Sequence, residues 1–339
     1  MKTSALRRWL VLLGLIARDQ TTRLTGGYDK LERRPMNTLK EILKWLVGFF
    51  ILSLVFFILV RMIPGNPVDR LLDCYQLPRT EANVAFLKKS FGLDKPLLEQ
   101  YRYWISHFVQ GDWGRSYVTG REVRAELFKR MPLSLSIGLG GVCLGGVLAF
   151  FLGYLAACRP RGFWDKFTRF LTVFVQSVPT FMLAVFVIYL LSVKYQIVKV
   201  YSNYYLSIFL AMLFVALQTT GDLCRLMRSH FLEIKKTPYI YFSRCRGFRT
   251  EGLLLRDGAR PACIALLSSI VSRFSWVIGG TSVVEFLFAL PGVSLFLIQS
   301  IAAKDYNIIQ SYLLFIFLWM ALVHLIFNGI IYLLKGGLR

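Results

Sequence analysis

The stretch RLMRSHFLEIKKTPYIYFSRCRGFRTEGLLLRDGARP, residues 225–261, decides how the rest of the chain is read. Arg225, Arg228, Lys235, Lys236, Arg244, Arg246, Arg249, Arg256 and Arg260 face only Glu233, Glu251 and Asp257 as counter-charges. Strongly apolar segments lie on both sides of it. A basic loop between two membrane spans is expected on the cytoplasmic side. Its interior carries helix punctuation: Thr237 can cap, and Pro238 can occupy the first helical position. Gly247 can then end the helix in a left-handed conformation. Between them Tyr239, Phe242 and Arg246 fall at i, i+3 and i+7, on one helical face. A short helix with an aromatic face can press into a groove on a soluble partner. The plainer alternative is an ordinary solvated basic loop.

Working outward, the composition agrees with a membrane setting. Of the 339 residues, 55% are hydrophobic, and the mean hydropathy is +0.53. A soluble domain must wet its surface and seldom carries so much apolar residue. The expected class is an all-α polytopic membrane protein. The net charge of +22 then reads as orientation by positive charge and attraction to anionic headgroups. It does not read as nucleic-acid binding, since no recognised module appears. The six cysteines are scattered with no CxxC pair, so neither a disulfide framework nor a structural zinc site is implied. The three histidines form no metal-binding cluster, and GxSxG, HExxH and GxxxxGK[ST] are all absent.

Hydropathy and charge place six transmembrane helices at about 45–63, 133–157, 167–191, 205–220, 262–288 and 309–334, with both termini cytoplasmic. Residues 1–44 form an N-terminal extension. Its apolar run 9–17 is too short to span, and is read as an interfacial helix or an upstream extension. Residues 64–132 form an extracytoplasmic segment in which Leu97, Tyr101, Trp104, Ile105 and Phe108 predict an amphipathic helix. Val123, Leu127 and Arg130 predict a further short helix ending at Met131-Pro132. Residues 133–334 form the core, with 225–261 as its basic loop, and 335–339 a short tail. Gly141-xxx-Gly145 in the second span permits close helix approach. Gln176, Ser177 and Pro179 lie near the middle of the third. Pro179 should kink that helix, and the polar side chains need partners at lipid depth. That face is therefore expected to look into the bundle. A translocation path would use it, though a purely structural kink is as good a reading. The fourth span is taken to end at Gly221-Asp222.

Ser243-Arg244-Cys245-Arg246-Gly247-Phe248, followed by Leu253 to Arg256 and Ala259-Arg260-Pro261-Ala262, resembles the cytoplasmic coupling motif of ABC-transporter permeases. The likeness is to the importer family for dipeptides, oligopeptides and nickel. Three more stretches resemble the same family in the same order: Val60-Arg61-Met62-Ile63-Pro64-Gly65-Asn66-Pro67, Gly111-Asp112-Trp113-Gly114-Arg115-Ser116, and Val284-Glu285-Phe286-Leu287-Phe288-Ala289-Leu290-Pro291-Gly292-Val293. The motif's usual acidic residue is missing, with Phe242 near its place. The resemblance implies a cytoplasmic coupling helix between spans 4 and 5, with Gly247 ending it. Tyr239, Phe242, Ser243, Arg244, Arg246, Gly247 and Phe248 would then meet an ATPase subunit.

Further partners implied are a second homologous permease, one or two ATP-binding cassette subunits, an extracytoplasmic solute-binding protein and membrane lipid, with no nucleic acid. ATP and Mg would sit on the ATPase, and this chain would hold no cofactor and no metal. The place is the bacterial inner membrane, and the cargo is expected to be di- or oligopeptide, with nickel or a metal chelate as the alternative. A membrane-embedded enzyme is the rival from another class, but it would need clustered acids or histidines at lipid depth. Arg273, near the middle of span 5, stands where the family usually has an uncharged residue. Burying it costs about 2.5–3.5 kcal/mol on insertion scales. It is expected to line the path and meet a substrate carboxylate, or to be answered by the second subunit or by water. Glu285 reads as structural.

Overall fold

The computed structural model describes residues 38–64, 66–197 and 203–336. The apolar run 9–17 and the rest of the extension 1–35, Gly65 of the first motif, the middle of the loop after span 3, and tail residues 337–339 lie outside these. Two compact units divide the chain, residues 1–54 and 55–339. In the first, the described part belongs to α1 (Thr38–Arg61), where the Ser53 hydroxyl donates to the Phe50 carbonyl at 2.8 Å.

The second unit continues with α2 (Pro67–Cys74), α3 (Glu81–Ser90), α4 (Leu97–Val109), α5 (Val123–Cys158), α6 (Phe163–Ser177) and α7 (Thr180–Ile188). After a π-helical turn, Tyr189–Lys194, come α8 (Tyr204–Lys235), α9 (Pro238–Cys245), α10 (Thr250–Arg256) and α11 (Ala259–Gly280). The chain closes with α12 (Ser282–Leu287), α13 (Val293–Ala303) and α14 (Tyr306–Gly336). All regular structure among the described residues is helical, apart from a single bridge between Arg115 and Glu122.

Four stretches are long and apolar enough to cross a membrane: α5, α8, the α11–α12 run Ala259–Leu287, and Tyr306–Phe327 of α14. A fifth is the bent pair of α6 with Thr180–Lys194. The apolar part of α1, Leu46–Arg61, is shorter than the roughly 20 residues a crossing needs. The count among the described residues is thus four, or five with the bent pair, against six expected.

Side-chain contacts fix the helix directions. Small residues let α5 and α8 approach backbone to backbone, and they run parallel. A Cβ on Gly145 would sit 2.6 Å from the Ala216 carbonyl oxygen, and one on Gly153 would sit 2.8 Å from the Arg228 nitrogen. The Thr220 hydroxyl bridges the seam, 3.2 Å from the Gly145 carbonyl. This is the close packing that the Gly141-xxx-Gly145 spacing allows. Against this pair α6 runs antiparallel, with Thr172 beside Cys224 at 3.2 Å and Asp165 bonded to Arg228. Antiparallel to α14 runs α11, where Ser275 meets His324 at 3.1 Å.

Two breaks depart from the sequence reading. Pro132 lies inside α5 and does not end it, so the short helix expected to stop at Met131-Pro132 is the first part of a 36-residue helix, about 54 Å long. Conversely, Pro179 does more than kink a helix. Val178 sits at φ −103°, ψ 118°, the extended region forced on a residue before proline. The flanking helices turn by 91°.

The stretch 284–293 folds around an enclosed acid. Glu285 is fully buried. It accepts from the Thr281 hydroxyl at 2.7 Å and from the Leu295 backbone N–H at 2.9 Å, at the start of α13. A buried carboxylate so bonded at a helix N-terminus is stabilising, which agrees with the structural role expected of it. At the same end of the unit, the segment before α5 packs on the start of α14. Trp113 stacks on Phe108 with ring centres 5.0 Å apart and lies 5.8 Å from Phe315. Trp104, Ile105 and Phe108 of α4 are buried, as their spacing predicts. Asp305 is buried and accepts from the Ser116 hydroxyl at 2.6 Å. Burial raises its pKa, and the bonds from Ser116 and the nearby backbone oppose that rise.

Candidate coupling surface and membrane ion pair

The opposite end of the unit carries the basic loop. Its foundation is apolar: Phe150, Ala157, Met227, Phe231, Leu254 and Ala262 form one buried cluster. The end of α5 is tied down by Lys235, whose Nζ donates to the carbonyls of Ala157 and Cys158 at 3.3 Å each. A lysine on the last carbonyls of a helix satisfies orphan acceptors and matches the dipole. The Tyr154 hydroxyl donates to the Glu251 carbonyl at 3.0 Å, which holds α10 against α5. A wholly buried carboxylate completes the base. Asp165 accepts from Arg169 at 2.5 Å, from the Arg161 backbone N–H at 2.7 Å, and from Arg228 of α8.

On this base stands α9. Pro238 occupies the first turn as expected, but the Thr237 hydroxyl does not cap. It donates instead to the Ile234 carbonyl at 2.6 Å, which also accepts from the Thr237 backbone N–H at 3.0 Å where α8 ends. Gly247 closes the helix at φ +90°. The N–H of Gly247 donates to Arg244 at 2.9 Å, and that of Phe248 to Ser243 at 3.3 Å. Paired bonds of this kind with a left-handed glycine terminate a helix. A side chain with a Cβ would be strained there.

The outward surface of α9 is apolar. Ile240 is its one buried residue, while Tyr239 is 44% exposed, Phe242 66% and Phe248 54%. Arg244, Arg246 and Arg249 are exposed among them, and Ser243 is half-buried. Tyr241, which the i, i+3, i+7 spacing passed over, is exposed as well. The signal for it was available: a helix anchored by a single residue exposes most of its circumference. Clustered exposed aromatics on a small element mark an interaction site more often than scattered single ones do.

The second feature lies within the bundle. Arg273 of α11 donates to Asp222 of α8 at 2.7 Å. The sequence reading took Gly221-Asp222 as the end of a span, and looked to a substrate carboxylate, the second subunit or water to answer Arg273. That reading is corrected. α8 runs without interruption to Lys235, so Asp222 is a helix-interior residue and the counter-charge comes from the neighbouring helix. Gly221 is tolerated in the helix because a Cβ there would collide with Val175 of α6. Both charged side chains keep about 30% of their surface, 30% for Arg273 and 28% for Asp222.

Gln176, Ser177 and Pro179 are exposed on the surface of this chain. They do not point into its bundle, which corrects the expectation that they would. The physical reason is the break: α6 ends at Ser177 with its polar end turned outward, and the buried positions nearby are Thr172 and Val175. Since Val175 packs on Gly221, this polar edge and the Asp222–Arg273 pair lie at neighbouring levels. No group of three or more histidine, cysteine, aspartate or glutamate side chains able to hold a metal occurs among the described residues.

Residues 149–339 match the family described as binding-protein-dependent transport system inner membrane component. Residues 37–138 match the N-terminal membrane component of the same transport systems. The chain is 29% identical over 290 residues to the nickel import system permease protein NikB of Staphylococcus aureus strain MRSA252, covering 85% of this chain and 87% of that protein. Proteins of the same name from strains RF122 and USA300 are each 28% identical over the same coverage.

Proposed function

The chain belongs to the family of binding-protein-dependent transport system inner membrane components, and from that premise we propose how its parts serve import. It is a multi-pass inner membrane permease of a binding-protein-dependent ABC importer, not itself an enzyme. A solute-binding protein and an ATPase are the partners this family implies. In the proposed arrangement α1 is the first of six spans and both termini are cytoplasmic. The ATPase, carrying ATP and Mg, receives α9 through Tyr239, Tyr241, Phe242 and Phe248. A second permease subunit covers Gln176, Ser177 and Pro179, and the path runs between the two. Arg273 and Asp222 border that path as a neutral pair.

The observation that carries this reading is the exposed aromatic surface on a helix held by one buried isoleucine. Native cysteines test the orientation, since Cys245 in α9 and Cys74 at the end of α2 are both exposed. In intact spheroplasts a membrane-impermeant maleimide should label Cys74 and spare Cys245. Inside-out vesicles should reverse the pattern, and labelling of both from one side would overturn the orientation. For the coupling role, Tyr239→Ala with Phe242→Ala should abolish co-purification of the ATPase while leaving the unfolding temperature unchanged. Retained association would refute the role.

For cargo, the proposal is nickel or a nickel chelate. The relatives named above support it, and the peptide expectation has lost its residue-level argument: Asp222 already neutralises Arg273, so that arginine does not wait for a peptide carboxylate. Uptake of radiolabelled nickel and of labelled dipeptide, compared in cells with and without the gene, separates the two.

A further inference from the structure

At the end of the second unit away from α9, a cavity of about 590 Å³ opens between the end of α1, the loop after α3, helix α4 and the start of α14. Arg61 lies in its wall. Its Nε and Nη2 donate to Gln100 Oε1 at 3.3 and 2.9 Å, and its Nη1 donates to Gln310 Oε1 and to the Phe57 carbonyl at 3.3 Å each. The guanidinium sits 3.4 Å from the centre of the Phe57 ring. Every one of these partners is neutral. Among the described residues no carboxylate forms an ion pair with Arg61, unlike Arg273 or Arg228.

Tyr117 shares the wall, and burial pushes its hydroxyl up to about 12. It therefore stays uncharged at physiological pH and does not balance Arg61. Trp104, 7% exposed, lines the same cavity, and its indole N–H is buried with no acceptor among the described residues. A buried N–H donor without a partner is unfavourable, so an acceptor supplied from outside would be bound favourably. Lys89 and Lys95 add positive charge at the rim, while Arg115 is answered by Glu122 at 3.4 Å. The one acid in the lining is Asp112, and its Oδ1 already accepts from the Gly114 N–H at 2.9 Å.

A guanidinium held only by neutral acceptors, an indole N–H without a partner and two lysines face one carboxylate, Asp112, so positive charge exceeds negative charge in this wall. We propose that this cavity is an oxyanion site that takes a phosphate group, with Arg61 and Trp104 at its floor and Lys89 and Lys95 at its mouth. A single carboxylate would answer Arg61 and leave the lysines unmet. The several oxygens of a phosphate meet a guanidinium and ammonium groups together. The phosphate comes either from a phospholipid headgroup or from a phosphate-bearing solute. Tryptophan beside basic residues at the end of an apolar helix is a common arrangement at the membrane–water interface.

The test uses the full-length chain in nanodiscs. One arm titrates inorganic phosphate, at constant ionic strength, into nanodiscs of phosphatidylcholine and follows tryptophan fluorescence. The other counts phosphatidylglycerol retained after delipidation, by native mass spectrometry. A saturable fluorescence change identifies a soluble source, and selective retention of phosphatidylglycerol identifies a lipid; either supports the site. Arg61→Gln, or Lys89→Gln with Lys95→Gln at exposed positions where folding is not at stake, should weaken the positive arm about tenfold. Wild-type protein silent in both arms overturns the proposal. So does a positive arm that the lysine pair leaves unchanged.

Discussion

Asp165 and Asp222 both project from helices into the bundle and both meet an arginine, yet they are held differently. Asp165 has no exposed side-chain surface, and three donors from two helices and a loop surround it. Asp222 has one arginine and 28% of its side chain open. The first is a closed fitting that joins the start of α6 to α8. The second is a pair with slack, whose members can exchange partners with water or with a surface brought against them. The difference teaches where this bundle is fixed and where it can rearrange: a buried carboxylate with both oxygens engaged resists motion, while one with a single half-open contact permits it.

The largest effect should come from Asp165→Ala. Removing the acid leaves Arg228 partly buried without its charge partner, a loss of about 3–5 kcal/mol for pairs of this kind. The expected outcome is a steep fall in unfolding temperature and in yield of folded protein in detergent. A variant as stable as the parent would dissolve the distinction between the two acids. Next in size, Asp222→Asn and Arg273→Gln should each cost about 1 kcal/mol, because solvent screens a half-open pair. Their combination should be no worse than either alone, and a double-mutant cycle on unfolding free energy measures the coupling. Here the sharper readout is transport. The single variants should slow nickel uptake more than they lower the unfolding temperature. Parallel losses in both would make Asp222 a second closed fitting.

The smallest effect concerns Asp305, another enclosed acid. Burial raises its folded pKa above the unfolded value of 3.8. Between those two values the folded state binds more protons than the unfolded state, so stability falls as pH rises through that window. Asp305→Asn should flatten this slope between pH 4 and neutrality while keeping an acceptor for Ser116. Unfolding temperatures across that range decide it; an unchanged slope assigns the pH dependence elsewhere.

Much of this could be read from the residues. Hydropathy found α5, α8, α11–α12 and α14, because long apolar runs admit little else, though it began α5 late and ended α8 near 220 where the helix runs on to Lys235. The proline start and the glycine stop of α9 were legible because each residue acts on its own backbone. What failed was non-local or competitive. The Asp222–Arg273 pair joins residues far apart in sequence, and no spacing rule connects them. The Thr237 hydroxyl had two targets in reach, and the Ile234 carbonyl at the end of α8 won over the cap. Pro132 and Pro179 look alike in sequence, yet one is absorbed by a continuous helix and the other ends one. The polar edge at Gln176 and Ser177 was found as a break, but its direction depends on a 91° turn that local propensity does not encode. The amides that hold Arg61, Gln100 and Gln310, come from α4 and α14, far from it in sequence.

The glycine seam between α5 and α8 bears on how force crosses this protein. With backbones in contact, with Lys235 clasping one helix end from the other, and with Asp165 pinning α6 alongside, the two long helices have no soft layer between them to absorb strain. Should α9 couple to an ATPase as proposed, a load there would meet this paired strut first, and its softer borders are the 178–179 elbow and the half-open charges.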